Sequence, residues 1–125
     1  MNILIATHGD LARELLQTTR MIVGDAPNNS VFTVALHQSV EVFEEEVRKV
    51  HRKTKSASIL LLTDMFGATP FNVCLRVFGD VEHRIVTGVN VPMLAEVLMQ
   101  EDAELSLYSS IALDEGKNGI KEFYL

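Results

Sequence analysis

Leu60-Leu-Leu-Thr-Asp-Met-Phe-Gly-Ala-Thr-Pro-Phe-Asn72 is the stretch that decides the fold. It starts within a run, Ser58 to Thr63, that is apolar on both faces, as a central strand of a parallel sheet must be. Asp64 follows at the strand's C-terminal end. Gly67 lets the chain turn, Thr69 is a good N-cap, and Pro70 suits the first turn of a helix. An acid, a hydroxyl and a helix start are thereby gathered close together. The first strand, Asn2 to Ala6, ends in the same manner, in Thr7-His8-Gly9 ahead of a second helix start. Ligands of open α/β sheets collect beyond such strand ends. If the two strands are neighbours, His8 and Asp64 meet over one edge of the sheet.

Working outward, the pattern of strand then helix occurs four times. A helix is expected from Gly9 or Asp10 to about Val23, with Leu11, Leu15, Thr19 and Ile22 at helical spacing and Gly24 as its stop. Val31 to Leu36 reads as the second strand. Ser39 caps a second helix whose inner stripe is Val40, Phe43, Val47 and Val50, and whose wet face offers Glu44 with Arg48 and Glu45 with Lys49. The third helix is expected over Pro70 to Phe78, the fourth strand over His83 to Thr87, and a fourth helix after Asn90 with Leu94, Val97 and Leu98 inward. Alternation of this kind forces right-handed crossovers and a parallel sheet. The expected architecture is three-layer α/β, a mostly parallel four-stranded sheet with helices on both faces.

The tail differs. A fifth helix is expected over Leu105 to Glu115, a turn over Gly116 to Gly119, and a short final strand over Ile120 to Leu125. A strand reached by a tight turn lies antiparallel at a sheet edge.

Composition narrows the function. One hundred and twenty-five residues make one domain, 1–125, and 47% hydrophobic with 22% charged residues is a folded rather than a disordered balance. A net charge of -6 argues against nucleic acid or an anionic membrane as partner and suits a partner with a basic face. The single Cys74 forms no internal disulfide and fits a reducing cytoplasm, with a small core residue as its expected role. No leader is expected before the first strand, and apolar runs such as Ile59 to Leu62 are far too short to span a bilayer. The four histidines show no metal-ligand spacing, and no glycine-rich nucleotide loop is present. Neither a metal nor a cofactor is expected.

His8 is the candidate nucleophile. In neutral imidazole one nitrogen carries a proton and the other a lone pair, and a neighbouring acceptor decides which. Asp64 could hold Nδ1–H, leave Nε2 free to attack phosphorus, and stabilise the cation that forms. Helix starts after Gly9 and at Thr69 offer backbone N–H groups to phosphoryl oxygens, and the Thr69 hydroxyl could add a donor or simply cap its helix. Met65, Phe66 and Met93, apolar residues on loops beside the site, suit either a docking surface or closure over the core. His37 suits a polar loop, His51 the basic end of the second helix, and His83 an edge strand. A receiver-like binding module is the competing class, but it would need clustered acids after the first strand to hold a divalent cation. That place is taken by Thr7-His8-Gly9.

Three segments carry a family resemblance: Ile3-Leu-Ile-Ala-Thr-His-Gly-Asp-Leu-Ala12, Leu62 to Asn72, and Gly88-Val-Asn-Val-Pro-Met-Leu-Ala-Glu-Val-Leu-Met99. Together they resemble the IIA component of the mannose-family sugar phosphotransferase system (mannose, fructose, sorbose). The resemblance implies that His8 is phosphorylated, that Asp64 orients it, and that Thr69 lies near the phosphoryl group at a position where Ser is also seen. Met65-Phe66 stands where the family carries a more polar or Trp-bearing pair. It further implies a relay from HPr through His8 to a IIB domain, serving membrane IIC and IID components, or a regulatory IIA without a transport role. In that family the last strand pairs across a dimer, so each subunit would donate its tail.

Overall fold

The computed structural model describes residues 1–125. The elements run β1 (Asn2–His8), α1 (Leu11–Val23), β2 (Ser30–Leu36), α2 (Val40–Thr54), β3 (Ile59–Thr63), α3 (Thr69–Val77), β4 (His83–Thr87), α4 (Val91–Leu98) and α5 (Leu105–Asn118). All strand pairs are parallel, in the order β2-β1-β3-β4. β1 and β3 are therefore the central, adjacent strands, and their side chains show why. Ile3 to Ala6 and Ile59 to Leu62 are buried on both faces. Each buried leucine or isoleucine contributes about 1.5–3 kcal/mol relative to exposure.

Strand side chains alternate between two cores. Ile3, Ile5, Leu60 and Leu62 pack with Ala12 and Leu16 of α1, with Leu94 and Val97 of α4, and with Tyr108 and Ala112 of α5. Leu4, Ala6, Ile59 and Leu61 pack with Phe43 and Val47 of α2 and with Val73, Cys74 and Val77 of α3. Helices thus cover both faces in the expected three layers. Burial pushes the Cys74 thiol up to about 12, consistent with a core residue held as the thiol.

Several local expectations are corrected. Ala68, not Thr69, is the N-cap of α3, and Thr69 opens the helix one residue before Pro70. Glu44 pairs with Arg48 as expected, at 2.9 Å, and also with Arg76 of α3. Glu45 instead reaches Arg52 at 2.8 Å, while Lys49 turns to Glu46 at 3.0 Å. Long side chains on a wet face choose among several neighbours, and spacing alone does not select one.

The largest departure is at the C-terminus. The expected turn at Gly116 is the last part of α5, because the missing side chain lets α5 close on α4. A Cβ there would lie 2.7 Å from the Met93 methyl carbon, and the Gly116 carbonyl accepts a hydrogen bond from Asn90 Nδ2 at 3.1 Å. Packing overrides the weak helix propensity of glycine. The expected strand over Ile120 to Leu125 is not formed by one chain alone. Those residues carry no regular secondary structure, and Ile120, Phe123, Tyr124 and Leu125 are exposed. No helix is long and apolar enough to cross a membrane.

Candidate active site

The chain leaves β1 through α1 on one face toward β2, and leaves β3 through α3 on the other face toward β4. A crevice therefore opens where β1 and β3 lie side by side, the switch point at which open α/β sheets place ligands. β1 delivers His8 and β3 delivers Asp64 to this edge.

The two side chains meet. Asp64 Oδ2 lies 2.8 Å from His8 Nδ1 and also accepts the His8 main-chain N–H at 3.1 Å. A carboxylate can only accept, so Nδ1 carries the proton and the lone pair sits on Nε2. The acid is sheltered and the ring is not: side-chain exposure is 15% for Asp64 and 52% for His8. Asp64 thus grips the backbone and the ring of the same residue through one oxygen. Shifting His8 strains both bonds together.

Glycines shape the approach. Gly9 (φ 56°) and Gly67 (φ 77°) adopt left-handed backbone just after His8 and Asp64, a conformation costly for other residues. The Gly9 N–H donates to the Leu36 carbonyl at 2.7 Å, tying the turn to the end of β2. Across the crevice, Asn72 Nδ2 donates to the Gly67 carbonyl at 2.9 Å and holds the loop that follows Asp64. The α1 and α3 N-termini both start at this edge, where partial positive charge favours an anion. Because the Thr69 side chain does not cap α3, its hydroxyl is available for other work.

The rim is partly as expected. Met65 and Phe66 are exposed, 64% and 76%, and Phe66 lies against Phe71 with ring centroids 5.0 Å apart. Met93 is not on that rim. It is 2% exposed, locked in the core between α4 and α5, because Asn90 caps α4 through the Met93 N–H at 2.9 Å and turns the side chain inward. His37, which follows β2, places its Nε2 3.2 Å from Asp10 Oδ1, while Arg13 stands 3.4 Å from the same carboxylate. His51 and His83 lie away from the strand ends: His51 reaches Asp80, and His83 Nδ1 sits 2.9 Å from the Val81 carbonyl. No cluster of three or more His, Cys, Asp or Glu side chains suited to a metal ion is present.

Sequence reasoning passed over Thr7, Asn72 and Asn90. Asn90 had a readable signal, an Asn just before a Val-Pro helix start. The bonds of Thr7 and Asn72 are local, each closing five residues onto itself, Thr7 with Ala12 and Asn72 with Gly67, and they depend on the backbone path of the turn rather than on a spacing rule.

Fold and site together define an α/β protein with a carboxylate-held histidine open at its strand ends. Comparison with known proteins sharpens this class. A family model described as PTS system fructose IIA component matches residues 2–112. The chain belongs to this family, the mannose-type IIA components of the sugar phosphotransferase system. It is similar to the PTS system mannose-specific EIIAB component of Escherichia coli (strain K12), 33% identical over 95% of this chain and 38% of that protein. The chain thus spans well under half the length of that relative. It is also similar to the PTS system fructose-specific EIIA component of Bacillus subtilis (strain 168), 28% identical over 97% of this chain and 80% of that protein. Among solved structures, the mannose/sorbose specific IIA subunit from Enterococcus faecalis superimposes with a TM-score of 0.88, covering 99% of this chain and 95% of that one. At 22% identity this likeness concerns the fold. A PTS IIA protein associated with the fucose utilization operon of Streptococcus pneumoniae gives a TM-score of 0.78 at 27% identity, over 97% of this chain and 91% of that one.

Proposed function

We propose that this chain is a phosphocarrier, accepting a phosphoryl group from phospho-HPr on His8 and passing it to a IIB domain during sugar uptake through IIC and IID components. The observation that carries the reading is the His8–Asp64 pair, with Nδ1 held by a sheltered carboxylate and Nε2 left on the open side. Family membership supports it.

In the forward step the Nε2 lone pair attacks phosphorus. The bond from phosphorus to the donor breaks, and its electron pair leaves with the donor. The ring now carries positive charge with its proton still on Nδ1, and the Asp64 carboxylate balances that charge. Thr69 and the N–H groups near Gly9 and Gly67 take the phosphoryl oxygens. Transfer to IIB reverses these events with the acceptor changed. The name of the E. coli relative joins A and B parts in one protein, so the recipient IIB belongs either to a separate chain or to a further part of this one. Met65 and Phe66 form the docking rim. We assign residues 1–125 to a single domain acting in the cytoplasm, with no nucleic-acid role.

The test is incubation with Enzyme I, HPr and phosphoenolpyruvate followed by intact mass. Wild type should gain one phosphate, labile in acid and stable in base, and His8→Ala none. A full phosphate on His8→Ala, or one lost in base, removes His8 from the role.

The tail completes the reading as a homodimer. Ile120 to Leu125 form no strand in the single chain, and the outer edge of β4 has no strand beside it. Exchange between two copies would satisfy both at little cost. Light scattering should give about twice 13.9 kDa for wild type and a monomer for a chain ending at Asn118. A wild-type monomer, or a truncated dimer, contradicts the exchange.

A further inference from the structure

We infer that Thr7 is a positioning residue for phosphoryl transfer: its buried hydroxyl caps α1 from the far side of His8 and thereby holds the imidazole on Asp64. The inference rests on the phosphocarrier reading of His8. Asp10 occupies the N-cap of α1, yet its side chain caps nothing and turns to His37 and Arg13. The cap comes from Thr7 instead. Its side chain is fully buried, and Oγ1 accepts the Ala12 N–H at 2.8 Å across His8, Gly9, Asp10 and Leu11.

The stretch bearing the nucleophile is therefore a closed loop, tied at its base by Thr7. It is tied at its flanks by the His8 N–H to Asp64 and the Gly9 N–H to the Leu36 carbonyl. Ala12 is 1% exposed, so without the hydroxyl its N–H has no ready access to water. A buried unpaired donor drives local rearrangement, and the first turn of α1 is the part free to move. Any such movement carries His8 with it. Both His8 bonds end on one Asp64 oxygen and loosen together, releasing the fixed tautomer.

A plain capping role would lower stability and nothing else, so the test needs a control that does only that. Thr19 provides it: also fully buried in α1, it donates its hydroxyl to the Leu15 carbonyl at 2.7 Å, more than two turns from the site. The readouts are the ¹⁵N shifts of the His8 ring and the rate of phosphate gain from phospho-HPr per folded molecule. Thr7→Val should mix the ring tautomers and slow transfer about tenfold. Thr7→Ser should restore both, and Thr19→Val should lose stability while keeping both at wild-type values. Should Thr7→Val not fold, Thr7→Cys, with its weak acceptor, should give an intermediate rate. A folded Thr7→Val with wild-type ring shifts and rate overturns the inference, as does Thr19→Val slowing transfer equally or Thr7→Cys matching wild type. A wild type that takes no phosphate would instead sink the phosphocarrier reading, and the ring shifts would still decide the role of Thr7.

Discussion

Two histidine–aspartate pairs in this molecule have the same length and opposite construction. His8 Nδ1 and Asp64 Oδ2 are 2.8 Å apart, as are His51 Nε2 and Asp80 Oδ1. At the strand ends the acid is sheltered and the ring is half open. On α2 the ring is the sheltered member, 24% exposed and 5.3 Å from the Phe78 ring, and the acid is 67% exposed. The first pair occupies Nδ1 and frees Nε2, the nitrogen farther from the backbone. The second spends Nε2 on an acid in open water. Proximity of acid and imidazole therefore does not set the proposed nucleophile apart. Which nitrogen is free, and whether the ring rather than the acid faces the crevice, separates the two pairs.

Removing the acid from each pair should break the symmetry most visibly. A charge pair about 4 Å apart is worth about 4 kcal/mol at an effective dielectric of about 20. With the His8 ring half open to water a smaller part survives, about 2–3 kcal/mol, or roughly 100-fold in rate. Asp64→Asn should keep its amide oxygen toward the His8 N–H, since an NH₂ group cannot accept that bond, and so lose the charge more than the tautomer. It should accept phosphate from phospho-HPr about 100-fold more slowly, whereas Asp80→Asn should match wild type in the same stopped reactions. Equal rates for both variants would reduce Asp64 to a structural residue.

His51 should matter only to stability. His51→Ala should accept a full phosphate, yet melt lower by roughly 4 °C, the effect of losing about 1 kcal/mol of ring packing on Phe78. The pH dependence follows from Asp80, whose carboxyl is held below its usual 3.8 by the hydrogen bond from His51. A lowered carboxylate value means stability present above pH 3.8 and lost as pH falls through the folded-state value. Melting curves of wild type and Asp80→Asn should therefore differ slightly at pH 6 and converge below about pH 4. Divergence on acidification would reverse the sign of the assigned interaction.

The same contrast explains what could be read in advance. His8 and Asp64 announce themselves because each follows a doubly apolar strand and precedes a helix start, so one-dimensional pattern fixes their end of the sheet. The four strands and the caps at Ser39 and Gly24 are likewise local signals. Met93 misleads because an apolar residue after a loop looks exposed until α5 is laid over α4, which the missing side chains of Gly116 and Gly119 allow. Tyr108 is similar: its hydroxyl meets Asn29 Oδ1 at 2.7 Å across most of the chain, and no spacing rule links them. The tail fails for another reason. Its branched and aromatic residues, Ile120, Phe123 and Tyr124, favour a strand, but in the single chain the segment pairs with neither open edge of the sheet, β2 or β4.

In the proposed mechanism Asp64, by holding Nδ1, directs phosphorus to Nε2 of His8. Nitrogen-15 NMR of the phosphorylated protein, labelled in histidine, reads this directly through the coupling of phosphorus to one ring nitrogen. A single phosphohistidine, His8, is expected, coupled at Nε2 with its proton retained on Nδ1. Phosphorus on Nδ1 of His8, or on His51, would contradict it.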